Sequence, residues 1–259
     1  WALAADALSF AIAGTLRASM RFPAPSPAGM AGSAGAAASS GSPAWRGGIL
    51  GDLAAGWREF TSRRWLWPVV AQFAIVVAIS AGMIDVLGPL VAHAKLGGAS
   101  AWGFMVAAYG TGAVAGSLTM IRFRPRRILL AGMLAIPPYS LLLFALAVPA
   151  PLPLDLAVAI FAGACVEVFN VNWATVLQQE IPPEKLSRVS AYDTLGNYAL
   201  TPAGTAIAGP LAAAFGTGAM LIAGGVLIAI LPLLVLLVPD VRQLRRAVIS
   251  LGGQLMLTP

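Results

Sequence analysis

Residues 154–210 read as two apolar stretches joined by a short polar turn, Gln178-Gln179-Glu180-Ile181-Pro182-Pro183-Glu184-Lys185-Leu186-Ser187-Arg188. Each stretch supplies about 20 largely apolar residues, the length at which a helix rising about 1.5 Å per residue covers the hydrocarbon of a bilayer. The first carries Glu167, Asn170 and Asn172 near its middle, and the second carries Asp193, Asn197, Tyr198, Thr201 and Pro202. A carboxylate at that depth is costly unless it faces a partner or a wet cavity, so by default it marks a functional lining. The pair implies a membrane chain with something polar at its centre.

Composition excludes the soluble alternatives. The 259 residues are 59% hydrophobic and 10% charged, whereas a soluble domain carries about 25% charged residues. The net charge of +6 comes from basic residues scattered through short loops, with no basic helical stripe interleaved with aromatics, which sets nucleic acid aside as a partner. The single cysteine, Cys165, lies inside an apolar span and can form no intrachain disulfide. The only lysines, Lys95 and Lys185, follow no glycine-rich loop, so no phosphate-binding loop for ATP is present. His93 has no Cys or carboxylate ligand set around it, and an interfacial histidine is expected rather than a metal site. No clustered His, Asp or Ser occupies the loops, which argues against a membrane enzyme; no cofactor is expected.

Taken in order, residues 1–19 form a first span with Asp6 and Ser9, closed at an interface by Arg17 and Arg21. Residues 20–64 follow as a linker. Its part at 22–48 is rich in Pro, Gly, Ala and Ser and lacks apolar periodicity, so it cannot offset its own ordering entropy and is expected to be flexible. At 49–64, Leu50, Leu53, Ala54, Trp57 and Phe60 recur at helical spacing among charges, predicting a helix in the headgroup plane anchored by Trp57, Trp65 and Trp67. Within a bundle at 65–238, a long span begins at Trp65, with Asp85 past its middle and Gly82, Gly88 and Pro89 loosening its outer half. The next, at 101–121, holds Gly112-Ala113-Val114-Ala115-Gly116, a small-residue face that admits a close helix neighbour. A span at 128–148 is expected to kink at Pro137-Pro138. The two stretches already named and a last one at 218–238 bring the total to seven spans, an all-α polytopic transmembrane bundle, before a tail at 239–259.

Basic residues give the orientation. Fifteen of the 16 lysines and arginines fall on one side of the alternating loops: Arg17 to Arg64, Arg122 to Arg127, Lys185 and Arg188, and Arg242, Arg245 and Arg246. Only Lys95 lies opposite. That asymmetry predicts a plasma (inner) membrane protein with its linker and C-terminus cytoplasmic.

Leu177-Gln178-Gln179-Glu180-Ile181-Pro182 followed by Leu186-Ser187-Arg188-Val189-Ser190-Ala191-Tyr192-Asp193 resembles the loop between the tenth and eleventh helices of major facilitator superfamily transporters. The resemblance is greatest to the branch of bacterial exporters that includes the enterobactin exporter, and Asp6-Ala7-Leu8-Ser9-Phe10 is similar to that branch's sixth helix. It covers nearly the whole chain but implies only the family's C-terminal six-helix half plus one preceding helix. With no initiator methionine and no basic region ahead of Trp1, a signal peptide is not expected, and a fragment beginning inside a helix is. Arg122-Phe123-Arg124-Pro125-Arg126-Arg127 after Gly116 resembles the degenerate second copy of the superfamily's cytoplasmic loop, though it lacks that loop's acidic residue and second glycine. The resemblance implies that these arginines hold one conformation shut; a plain topology signal explains them equally well.

Several side chains are candidates for a pathway. Glu167 and Asn170 share a helix face three residues apart, and Glu167 is either a protonatable group in a central cavity or a buried interhelix hydrogen bond. Asp85 admits the same two readings. Asn172, Asn197, Tyr198 and Thr201 either line that cavity or act as packing polar groups. In the turn, Glu180, Glu184, Arg188 and Asp193 form a cytoplasmic latch with Arg122, Arg126 and Arg127, or cap helices around Pro182-Pro183. The expected function is proton-coupled export of a small molecule, drug-like or siderophore-like, by alternating access between two bundles. Lipid, the small molecule and an N-terminal half of the same transporter are the expected partners. The competing expectation is a truncated, non-transporting half-protein or scaffold.

Overall fold

The computed structural model describes Thr15 and residues 56–58, 60–148, 150–244, 247–249 and 255–257. The chain divides into two compact units, residues 1–49 and 50–259. Of the first only Thr15, a helical residue, is described, so the expected span at 1–19 and the expected linker at 22–48 lie outside the described residues.

The second unit is a bundle of helices joined by short connections. α1 (Leu66–Ser80), a π-helical segment (Ala81–Leu87) and α2 (Gly88–Lys95) run on as one 30-residue span. α3 covers Ala99–Arg122. α4 (Ile128–Ala135), a 3-10 turn (Pro137–Ser140) and α5 (Leu141–Ala147) make the next span. α6 is the 29-residue helix Leu152–Glu180. α7 (Pro183–Tyr198) and α8 (Thr201–Phe215) follow, and α9 (Thr217–Val235) completes the bundle. Beyond it lie the short α10 (Pro239–Gln243) and two three-residue strands, β1 (Ala247–Ile249) and β2 (Leu255–Leu257), paired antiparallel with Val248 opposite Met256.

Among the described residues five helices are long and apolar enough to cross a membrane. The stretch after the polar turn, expected as one span, is instead two helices broken at Ala199 and Leu200. Pro202 explains the break: it lacks the N–H that would bond the Tyr198 carbonyl one turn back, and its ring crowds that carbonyl. Pro89 stands in the same relation to Asp85, and the wider π turn before it relieves the clash. Pro137 and Pro138 likewise convert the middle of the third span into a 3-10 turn.

Two helix pairs approach at backbone distance. A Cβ on Gly112 would run into the Ile160 carbonyl, one on Gly163 into that of Tyr109, and one on Gly116 would stand 2.6 Å from the Ala164 carbonyl oxygen, so α3 lies directly on α6. Gly204 meets the Ala78 carbonyl in the same way, which brings α8 against α1. Without a hydrophobic drive between helices in lipid, such close backbone packing is a main source of cohesion. At the end where α6 passes into α7, Phe60 and Trp57 contact the Tyr192 ring. Trp57 and Trp67 are exposed, as an interfacial anchor requires, but Trp65 is buried edge-on against Trp173, 5.9 Å between centroids. Its indole therefore belongs to the core rather than to the headgroup layer.

Candidate functional site

An open-sided cavity of about 420 Å³ lies between α1, the π segment, α3, the 3-10 turn, α6 and the α7–α8 break. The three helix irregularities converge on it. The π segment supplies Asp85, the 3-10 turn Tyr139, and the break Tyr198 and Thr201. Each proline thus has a local effect, a disturbed helical turn, and a tertiary one, since the side chains of that turn face a shared space. Discontinuous helices that line a cavity are the arrangement a membrane interior tolerates, because the freed backbone groups are not left facing lipid.

Asp85 is exposed while Tyr139 is buried, and Tyr139 shares a side-chain hydrogen bond with Ser80 on α1. Asn170 and the rings of Phe73, Trp102 and Tyr109 complete the lining that matters here. Trp102 fits because Gly88 has no Cβ to collide with it. The hydroxyl of Thr201 has no hydrogen-bond partner among the described residues and is buried.

Of the sequence candidates, Asp85, Asn170, Tyr198 and Thr201 lie together on this cavity. Glu167 stands beside it at the α3–α6 seam. Ser117 Oγ donates to its Oε1 at 3.0 Å and Asn170 Nδ2 to its Oε2 at 3.4 Å, so Asn170 joins Glu167 to the cavity wall. Asn172 points elsewhere: it is buried, its amide donates to the Val168 carbonyl at 2.7 Å, and its Cβ backs onto Gly132 of α4. Asn197 donates to Asp193 Oδ1 at 3.1 Å.

Asp193 is buried within the bundle, where Trp173 Nε1 donates to its Oδ2 at 3.1 Å. Two neutral donors therefore satisfy it, one from α6 and one from its own helix. Nearby, Arg63 Nη1 donates to the backbone carbonyl of Glu180, tying the start of the bundle to the end of α6. Arg188, Arg122, Arg126 and Arg127 are exposed, Arg122 in the last turn of α3 where a cation complements the helix dipole. The side chain of Glu184 lies outside the described residues.

The aromatic lining is what reading the residues in order passes over. Trp102, Tyr109 and Tyr139 look like ordinary members of apolar spans, yet Trp102, Met105, Val106 and Tyr109 recur at helical spacing on one cavity-facing stripe of α3. Among the described residues no group of three or more His, Cys, Asp or Glu is placed to hold a metal.

No curated protein and no solved structure matches the chain. The model of the major facilitator family described as transmembrane secretion effector matches residues 36–250. Those residues include every helix of the bundle and every cavity residue named above, and so the chain belongs to the transmembrane secretion effector family of major facilitator transporters, as a multi-pass membrane protein of the transporter class.

Proposed function

We propose that this chain forms the C-terminal half of a proton-coupled exporter of small molecules, in the exporter branch suggested by its α6–α7 loop. The observation that carries the reading is the cavity at which three broken helices meet, with Asp85 on its wall and Glu167 one hydrogen bond behind Asn170. A transporter needs a midplane site with polar groups that exchange access between the two sides. Proton coupling needs in addition a carboxyl whose proton affinity changes as water access switches, which burial can do. Asp85 on the wall and Glu167 behind Asn170 are the two carboxyls that would serve that need.

In this reading the N-terminal half of the same transporter closes the cavity from the opposite side. The basic loops face the cytoplasm, the protein resides in the plasma membrane, and Gly112 and Gly116 hold α3 and α6 as one rigid piece during rocking. Arg122, Arg126, Arg127, Glu180, Glu184 and Arg188 make the cytoplasmic gate, which opens and closes around the buried Asp193.

The test is transport by the full-length transporter, this chain together with its N-terminal half, in vesicles bearing an imposed pH gradient, with a panel of small fluorescent dyes of positive, zero and negative charge. Asp85→Asn and Glu167→Gln keep the shape of the protonated forms but can release no proton. At matched protein levels one or both should still exchange dye passively while failing to accumulate it against a gradient. Uphill accumulation by both variants equal to the parent's would remove these carboxyls from coupling. Absence of gradient-driven accumulation of any dye by the unaltered protein would sink the exporter reading and leave the non-transporting scaffold.

A further inference from the structure

We propose that the break between α7 and α8 binds a sodium ion, held by the Asn197 side-chain oxygen, the Thr201 hydroxyl and the Tyr198 main-chain carbonyl. The site needs no transport activity to exist and stands apart from the exporter reading.

The oxygens are the first argument. Asn197 Oδ1 and Thr201 Oγ1 are shut off from solvent, and neither has a hydrogen-bond partner among the described residues. Threonines elsewhere in the bundle settle their hydroxyls locally: Thr61, Thr111, Thr119, Thr175 and Thr205 each donate to the carbonyl four residues back. Thr201, the first residue of α8, does not. The Tyr198 carbonyl is the third oxygen, because Pro202 brings no N–H to it. The backbone stays in the right-handed helical region at Ala199 and Leu200, so Asn197 and Thr201, four residues apart, share a face across the break.

Charge is the second argument. Asn197 Nδ2 donates to Asp193 Oδ1 at 3.1 Å. Only the nitrogen of the amide can donate to a carboxylate, so its oxygen must turn the other way. Asp193 is buried, and the two hydrogen bonds it accepts, from Trp173 and Asn197, come from neutral groups that leave its charge in place. A cation on the far side of the Asn197 amide offsets that charge, which a low-dielectric interior makes costly to leave alone. One carboxylate calls for one positive charge, and an all-oxygen set calls for a hard cation rather than a transition metal.

The fold holds these groups still. A Cβ on Gly196 would stand 2.7 Å from Val70 Cγ1, and one on Gly204 would run into the Ala78 carbonyl, so α1 pins the chain on both sides of the break. Thr201 also lies on the cavity wall, which gives the ion a route and supplies water to complete its shell. Freed main-chain carbonyls at interrupted helices are a general way of holding sodium inside a membrane.

Sodium itself is the probe. The full-length transporter, this chain together with its N-terminal half, is equilibrated in lipid nanodiscs with radioactive sodium, with choline holding the ionic strength constant. Binding to empty nanodiscs is subtracted. The parent should bind sodium saturably. Thr201→Val keeps the shape and removes the oxygen, and Pro202→Ala returns an N–H to the Tyr198 carbonyl. Each should weaken half-saturation at least about tenfold, while Thr201→Ser stays within about threefold of the parent. Sodium should also raise the melting midpoint of the parent and of Thr201→Ser, each against its own choline control, but not that of the other two variants. That internal control keeps a variant of altered stability from imitating the result. Absence of saturable binding to the parent means that an ordered water fills the break, and binding undiminished in either Thr201→Val or Pro202→Ala puts the sodium elsewhere; both outcomes overturn the inference. Because binding is read without a gradient, sodium binding with no dye accumulation leaves this inference standing and removes the exporter reading. Dye accumulation without sodium binding does the reverse.

Discussion

Gly116→Ala is the perturbation whose consequence follows most directly from the coordinates. An added Cβ would stand 2.6 Å from the Ala164 carbonyl oxygen, 3.0 Å from the Ala164 Cα and 3.1 Å from the Glu167 Cβ. The first distance is about 0.8 Å short of the 3.4 Å at which ordinary contact begins, and the obstacle is backbone, which no rotamer change can clear. The α3–α6 seam must therefore part, which loosens the neighbouring Ser117–Glu167 hydrogen bond of 3.0 Å as well. Overpacking of this kind costs about 1–3 kcal/mol, against which alanine's better helix propensity returns at most about 1 kcal/mol. Gly110→Ala, on the same helix with nothing within 4 Å of the added atom, supplies the control. For a chain of this size the net loss lowers the apparent melting midpoint by about 2–8 °C. Cys165 offers the readout: it is the single cysteine and is buried in α6, so a thiol-reactive fluorophore reports unfolding during a thermal ramp in detergent. Unfolding there is treated as a rate process at one fixed scan speed. Gly116→Ala should melt below the parent and Gly110→Ala at or above it. A Gly116→Ala protein as stable as the Gly110→Ala control would refute the close-packed seam.

Three further outcomes are expected. In a Cys165→Ala background, single cysteines at Gly98 and Pro151 should react with an impermeant maleimide added outside intact cells, while those at Ser40 and Pro183 should not; outside labelling at Pro183 would invert the proposed orientation. Trp173→Phe deletes one of the two donors to the buried Asp193, and should cost about 1–3 kcal/mol, with much of the loss in melting midpoint restored by adding Asp193→Asn. Gly112→Ala, whose Cβ would collide with the Ile160 carbonyl more severely than that of Gly116 with Ala164, should lower the midpoint further than Gly116→Ala in the same ramp, and an equal or smaller drop would mean the seam yields there.

Much of the architecture is legible in the order of residues because each cause is local. Apolar runs of membrane-spanning length have to be helices, since lipid offers backbone groups no partner. Prolines at 89, 137, 138 and 202 remove a backbone donor just after the π segment, at the 3-10 turn and after the α7–α8 break, although Pro210 and Pro232 sit inside α8 and α9 without interrupting them. The α7–α8 break still escaped a reading by hydropathy alone, because a break that keeps both halves apolar leaves no trace in the pattern. The small residues of α3 likewise mark a face that a neighbour can approach closely. Which neighbour, and which polar groups meet, is decided only by the tertiary fold. Asp85, Tyr139 and Thr201 come from three separate spans, and Glu167 finds Ser117 on a helix 50 positions away. In a soluble helix an apolar stripe against a polar face would have indicated the direction of each side chain. Here lipid and core are equally apolar, so the rings of Trp102, Tyr109 and Tyr139 carry no mark in the sequence that separates a cavity wall from a lipid-facing surface, and packing alone assigns them to the site.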